Sequence, residues 1–138
     1  MTAEDILGTW CSVGHERVTQ DGTVTHPFGK EPLPARLVYS PDGSMAVMTI
    51  RPGLEKLRRG TPADVRLAAL DECIGYMGHY DVVGSTIRHH IEVSINPELI
   101  GVTLERPVIS AEGNRVTVRA PGDKNGALDN ITWERLTR

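Results

Sequence analysis

The sequence predicts a mainly β fold interrupted by one mid-chain α-helix, on three observations. Gly and Pro are scattered as punctuation between short segments, the pattern of many strands joined by turns. Several of those segments alternate apolar and polar residues at the period of a strand. A single stretch, 61–76, combines a helix start signal with apolar residues at partly helical spacing.

A chain of 138 residues with 39% hydrophobic and 24% charged residues is expected to form one domain over residues 1–138, large enough for a core or a cavity of its own. The net charge of −3 and the lack of a dense Lys/Arg patch argue against a nucleic-acid partner. Lys56, Arg58 and Arg59 lie among Gly and Pro and read as a solvated loop. No run of roughly 18 apolar residues occurs, and "MTAEDILGTW" lacks the flank and core of a secretory signal. A cytoplasmic location without a membrane partner is the expectation. Cys11 and Cys73 form no CxxC or Cys/His spacing and read as reduced, packed thiols.

The elements follow in order. "GTWCSVGHERV" (8–18) reads as a first strand ending at the Asp21-Gly22 turn. "ARLVYSPDGSMAVMTI" (35–50) reads as a hairpin over Pro41-Asp42-Gly43, where Pro presets one dihedral and Gly permits the left-handed one. On it Leu37 and Tyr39 share a face, while Met45, Val47 and Thr49 form a second line whose side a bulged turn would decide. Methionine there suits either core filling or an adaptable apolar wall. "TPADVRLAALDECIGY" opens with Thr61 as N-cap and Pro62 at the first helical position, with Asp64 three residues after the cap. Val65, Leu67, Ala68, Leu70 and Ile74 supply its apolar surface, and about three turns are expected against one end or side of the sheet. Further strands are expected near 101–109, 114–120 and 128–136.

The stretch "GYMGHYDVVGSTIRHHIEV" (75–93) holds two alternating runs around Gly84-Ser85, a Gly-first pair suited to a tight hairpin turn. Pairing Val83 with Thr86 sets Val82 opposite Ile87, Asp81 opposite Arg88, Tyr80 opposite His89, His79 opposite His90, Gly78 opposite Ile91 and Met77 opposite Glu92. One face then carries Tyr76, Gly78, Tyr80, Val82, Ile87, His89, Ile91, Val93 and Ile95. The other carries Met77, His79, Asp81, Arg88, His90 and Glu92 and belongs to water, with Asp81 and Arg88 as a weak surface pair.

His89 is therefore the histidine among apolar side chains. Two readings stay open: a core histidine satisfied by Tyr80 or a backbone group, or a cavity imidazole able to move a proton, with Tyr80 orienting it or binding a substrate oxygen. Burial should hold it neutral. In "VTLERPVIS", Val102, Leu104, Arg106 and Val108 alternate together. If that line faces inward, Arg106 is a cation able to grip a carboxylate or enolate oxygen, although Pro107 suggests an edge or a bulge that would reverse the parity. An open edge there would allow a homodimer, and barrel closure would remove it.

Other chemistries lack support. No Gly-x-Ser-x-Gly elbow, Walker loop, dinucleotide fingerprint or HExxH helix occurs. A metal site would need His15 or His26 to converge on His89, so neither metal nor cofactor is expected. The carboxylates concentrate in turns, the helix and the polar strand face, and only Glu16 on the first strand has no settled direction.

"ILGTW", "LVYSPDGSMAV", the "TP" helix running into "YMGHYDV", "IRHHIEVSINPELIG" and the closing "ITWERL" together resemble the bacterial lipocalin-like domain family over nearly the whole chain. Gly8-Thr9-Trp10 is similar to the Gly-x-Trp signature of lipocalins, where the Trp closes one end of the barrel. A basic residue of the last strand commonly covers that Trp. Arg135 is the position here, with Arg138 as the alternative. The resemblance implies an antiparallel up-and-down β-barrel with a central pocket for a small, mostly apolar molecule. It departs from typical carrier lipocalins in placing its helix in mid-chain.

Pocket candidates are Tyr39, Met45, Val47, Tyr76, Gly78, Ile91, Val93 and Arg106, with His89 and Tyr80 as the chemical pair. Two functions follow. One is a binding protein for a small apolar organic molecule. The other is a cofactor-independent isomerase, cyclase or lyase in which His89 moves a proton and Tyr80 and Arg106 stabilise negative charge.

Overall fold

The computed structural model describes residues 1–137. Its strands are β1 (Gly8–Val18), β2 (Val24–Thr25), β3 (Ala35–Tyr39), β4 (Ser44–Thr49), β5 (Ile74–Val83), β6 (Thr86–Ser94), β7 (Thr103–Glu112), β8 (Arg115–Pro121) and β9 (Leu128–Arg135). From β3 onward each pairs antiparallel with the next, β1 pairs with both β3 and β9, and eight strands close an up-and-down barrel. The short β2 folds back on the far end of β1 through the expected Asp21-Gly22 turn. Closure pairs strand edges that would otherwise be open. Near Pro107 the two ladders of β7 meet end to end: β6 pairs with Thr103–Pro107 on one side and β8 with Val108–Glu112 on the other, so among the described residues the side of Thr103–Pro107 away from β6 has no ladder partner.

One end of the barrel is stopped by the segment before β1. Ala3–Ile6 forms a 3₁₀ turn that buries Ile6, and the Trp10 indole donates from Nε1 to the Ile6 carbonyl at 2.9 Å. The Arg135 guanidinium lies 4.5 Å from the Trp10 ring centre and donates to the carbonyls of Leu7 at 3.0 Å and Asp5 at 2.6 Å. Arg135 thus covers the tryptophan; Arg138 lies outside the described residues.

The β3–β4 hairpin turns at Gly43, whose φ of 89° needs a residue without a Cβ, and it sets Tyr39 opposite Met45 and Leu37 opposite Val47. Both side-chain lines therefore face the interior. The helix α1 (Ala63–Asp71) is nine residues long and starts one residue later than the spacing predicts: Pro62 is its cap, while the Thr61 hydroxyl accepts from the Arg58 N–H. Its apolar residues do not pack on the sheet, since Val65, Leu67 and Leu70 are exposed and only Ala69 is buried. Buried Cys73, just after it, anchors the segment by donating to the Ala69 carbonyl and accepting from the Arg51 N–H. Both cysteines are free.

In the β5–β6 hairpin Gly84 takes φ 60°, as a Gly-first turn requires, and the register runs as expected from Val83–Thr86 to Gly78–Ile91. There it breaks: Met77 lies opposite Val93 instead of Glu92, so Glu92 is the extra residue of a bulge. Gly78 permits this, because a Cβ on it would sit 1.9 Å from the His90 carbonyl oxygen, an approach only glycine allows. Beyond the bulge the parity of the chain reverses. Val93 and Ile95 point outward and are 63% and 59% exposed, beside Met77 and Met48.

The polar outer face is as anticipated. Asp81 accepts from Arg88 at 2.6 and 2.9 Å and pairs with His90 at 2.9 Å, and His79 stacks on His90. Among the described residues no helix is long and apolar enough to cross a membrane.

Candidate functional site

Alternation on the closed sheet sends one face of every strand into the lumen, and those side chains leave a cavity of about 800 Å³. Its wall is mostly apolar, with Leu37 and Val47 on one side, Val116, Val118, Ile131 and Trp133 on the other, and Ile87 and Leu104 between. Against this wall stand Tyr39, Tyr76, His89 and Arg106.

His89 is 4% exposed and both of its ring nitrogens are occupied: Nε2 lies 2.7 Å from the Tyr39 hydroxyl and Nδ1 lies 2.7 Å from the Tyr76 hydroxyl. β3 and β6 are not neighbours, so the Tyr39 contact crosses the lumen. Burial, reinforced by the charges of Arg106 and His90, pushes the imidazole down to about 3. Burial likewise raises Tyr76 to about 12 and Tyr39 well above the ordinary phenol value, with Arg106 opposing both shifts. All three groups are neutral at physiological pH.

A neutral imidazole has one N–H donor and one bare acceptor. One tyrosine therefore donates to the ring while the other accepts from it, and the accepting tyrosine keeps a hydroxyl proton free to donate to a molecule in the cavity. Moving the ring proton between nitrogens exchanges the two roles without creating charge.

Arg106 stands on β7 opposite Ile87, so its line does face inward, and the β7–β8 register slips only beyond it, between Val108 and Ser110. It is half-buried and donates from Nη1 to the Glu105 carbonyl at 2.9 Å.

Of the other residues expected at the site, Tyr80 stands across from His89 in register but does not bond it. Its hydroxyl donates to the Ser40 carbonyl at 2.9 Å and its ring packs on Tyr39. Tyr80, Met45 and Ile91 belong to the packed core rather than to the cavity wall, Gly78 forms the bulge, and Val93 lies on the outer face. Tyr39, Val47, Tyr76, His89 and Arg106 are the five that the fold brings to the cavity.

A second buried polar cluster escaped the sequence reading. Arg17 pairs with Asp129 across β1 and β9, and the carboxylate of Asp129 accepts from Arg17 Nε at 2.8 Å and lies 2.7 Å from His15 Nε2. Burial acts to raise Asp129, yet the hydrogen bonds from Arg17 and His15 outweigh it and hold the carboxyl below its ordinary range. The Phe28 ring packs edge-on against His15. Glu16 alternates to the opposite, outer side with Asn130 across from it. No local signal marks Asp129, which reads in sequence as one more turn-flanking carboxylate. Among the described residues no group of three or more His, Cys, Asp or Glu converges as a metal site.

A family model described as a lipocalin-like domain matches residues 7–136, and the chain belongs to that family. No curated protein matches it. Among solved structures, an uncharacterized protein from Bacteroides eggerthii DSM 20697 is similar at 10% identity with a TM-score of 0.48, covering 94% of this chain and 98% of that one.

Proposed function

We propose that this member of the lipocalin-like domain family holds a small, mostly apolar organic molecule in its barrel, with the polar end of that molecule against Tyr39, His89 and Tyr76. A lipocalin-like barrel fits ligand binding in general. The finer reading is carried by one observation: a cavity of about 800 Å³, apolar over most of its wall, with a single hydrogen-bonded Tyr–His–Tyr group presented to it. That volume suits a ligand of drug-like size, and few convergent polar groups suit orientation rather than gross affinity.

The bonding of both ring nitrogens favours a second reading, an acid–base isomerase, cyclase or lyase. An imidazole held this far below its ordinary value is a poor base alone. Flanked by two hydroxyls, it can take a proton at one nitrogen while releasing one at the other.

Titrating an uncharged solvatochromic dye while following Trp133 fluorescence tests the binding reading. Saturable binding that is lost in Leu104→Trp, where the indole fills the lumen, supports it. Equal binding to both proteins places the dye elsewhere and sinks it. Chromatography of bound candidate molecules over time separates holding from conversion.

A further inference from the structure

We infer that the molecule held in the barrel carries an acidic head, a delocalised oxyanion of the carboxylate or ionised-enol type, and that Arg106 selects it, an assignment that presupposes the binding site proposed above. Arg106 lines the cavity half-buried, and its one hydrogen bond is to the Glu105 backbone carbonyl. None of the ion pairs among the described residues includes it. Most of its planar fork of N–H donors is therefore left for something else.

The carboxylates of the neighbouring elements are turned away or already engaged. Glu105 is the carboxylate among the residues lining the cavity, but it is exposed, alternates to the outer side opposite Arg88 and forms no ion pair with Arg106. Asp81 is held by Arg88 and His90 on that same outer face. Asp129 is the inward-facing carboxylate, and its two oxygens are taken by His15 and Arg17. Tyr39, Tyr76 and His89 are neutral and supply hydrogen bonds, not counter-charge. Arg119, the second arginine among the lining residues, donates from Nε to the Asn130 side chain at 3.2 Å, and no ion pair among the described residues neutralises Arg106.

A two-oxygen anion completes this arrangement. It accepts from the guanidinium fork and from whichever tyrosine hydroxyl the imidazole leaves free, both charge-assisted contacts. An ester or an alcohol of the same skeleton fills the apolar wall equally well without that gain, and an amine meets repulsion.

The test is displacement of the uncharged dye near neutral pH by matched probes: dodecanoate, methyl dodecanoate and dodecylamine, and hydroxycoumarin against coumarin. At least one acidic probe should bind roughly tenfold or more tighter than its neutral partner, with dodecylamine the weakest of the alkyl series. The pair that discriminates tells carboxylate from enolate. Arg106→Gln should bring the acid-to-neutral ratio to within about twofold, and Arg106→Lys, a point charge without the fork, should keep part of it. Near-UV circular dichroism checks that the variants fold, and the wild-type ratios decide the head group without them. If neutral probes bind as tightly as acids, the acidic head is overturned while binding in the barrel stands. A preference surviving Arg106→Gln overturns the role of Arg106. If neither dye nor probe enters the barrel, the binding reading fails and this assignment with it.

Discussion

The Tyr39 hydroxyl and the His89 Nε2 meet at 2.7 Å across the barrel, from strands that share no ladder. With Tyr76 on the other ring nitrogen, the imidazole is fixed from two sides at the cavity wall. The bond ties distant parts of the sheet together, and the tautomer of the ring decides which hydroxyl keeps a proton for a ligand.

His89 is about 3 in the fold against an ordinary 6.5, so between those values the unfolded chain binds the extra proton. Stability is therefore at its full value above about pH 6.5 and falls as pH drops below it, by up to about 1.4 kcal/mol per pH unit. Asp81 and Asp129, held below 3.8, contribute in the same sense only at lower pH. Denaturant unfolding between about pH 5 and 6.5 should show the slope in wild type and its near-absence in His89→Phe. An unchanged slope in the variant contradicts the burial of a neutral ring.

Tyr39→Phe and Tyr76→Phe should each cost about 1–2 kcal/mol, because each strands one nitrogen of a buried imidazole. The double variant should depart from the sum by about 0.5 kcal/mol or more, since both hydroxyls work through one ring. Strict additivity in a double-mutant cycle would show that the three groups are independent.

Gly78→Ala should destabilise by about 2 kcal/mol or more, since the added Cβ meets the His90 carbonyl at 1.9 Å. Gly14→Ala is the control. Its Cβ meets only Thr132, at 3.8 Å, and a change within about 0.5 kcal/mol is expected. Equal effects in thermal unfolding would mean that the bulge does not depend on the glycine.

Arg135→Leu removes the stacking on Trp10 and the two carbonyl contacts that pin the 3₁₀ turn, at a cost of about 2 kcal/mol. Arg135→Lys should recover little, because an ammonium cannot stack and fork at once. Full recovery by lysine, read from unfolding and Trp10 fluorescence, would reduce the residue to a simple charge.

How much was legible in the sequence follows from how far apart the causes lie. The β5–β6 register was readable from Val83 to Gly78 because the Gly84-Ser85 turn and the alternation are both local. Past Gly78 it was not: a glycine in a strand pattern does not announce whether the partner backbone bulges toward it, and the resulting shift turned Val93 and Ile95 outward. His89 was visible as the inward histidine, but its partners were not. Tyr80, directly opposite, was the obvious choice, whereas the hydroxyls that reach the ring lie diagonally along β5 and across the lumen on β3, a relationship that only barrel curvature creates. The helix forms within one residue of where its start signal places it, but Val65, Leu67 and Leu70, which in sequence suggest a packed face, are left exposed by the fold.

Histidine-resolved nitrogen NMR, recorded across pH with and without a panel of small apolar acids and their neutral counterparts, reads the state of the His89 ring and its response to a ligand in one experiment. The ring nitrogens of His89 should show a single neutral imidazole throughout the physiological range, and ligand addition should shift these signals while leaving those of His79 on the outer face in place. A His89 that titrates near its ordinary value and ignores every ligand would contradict both expectations.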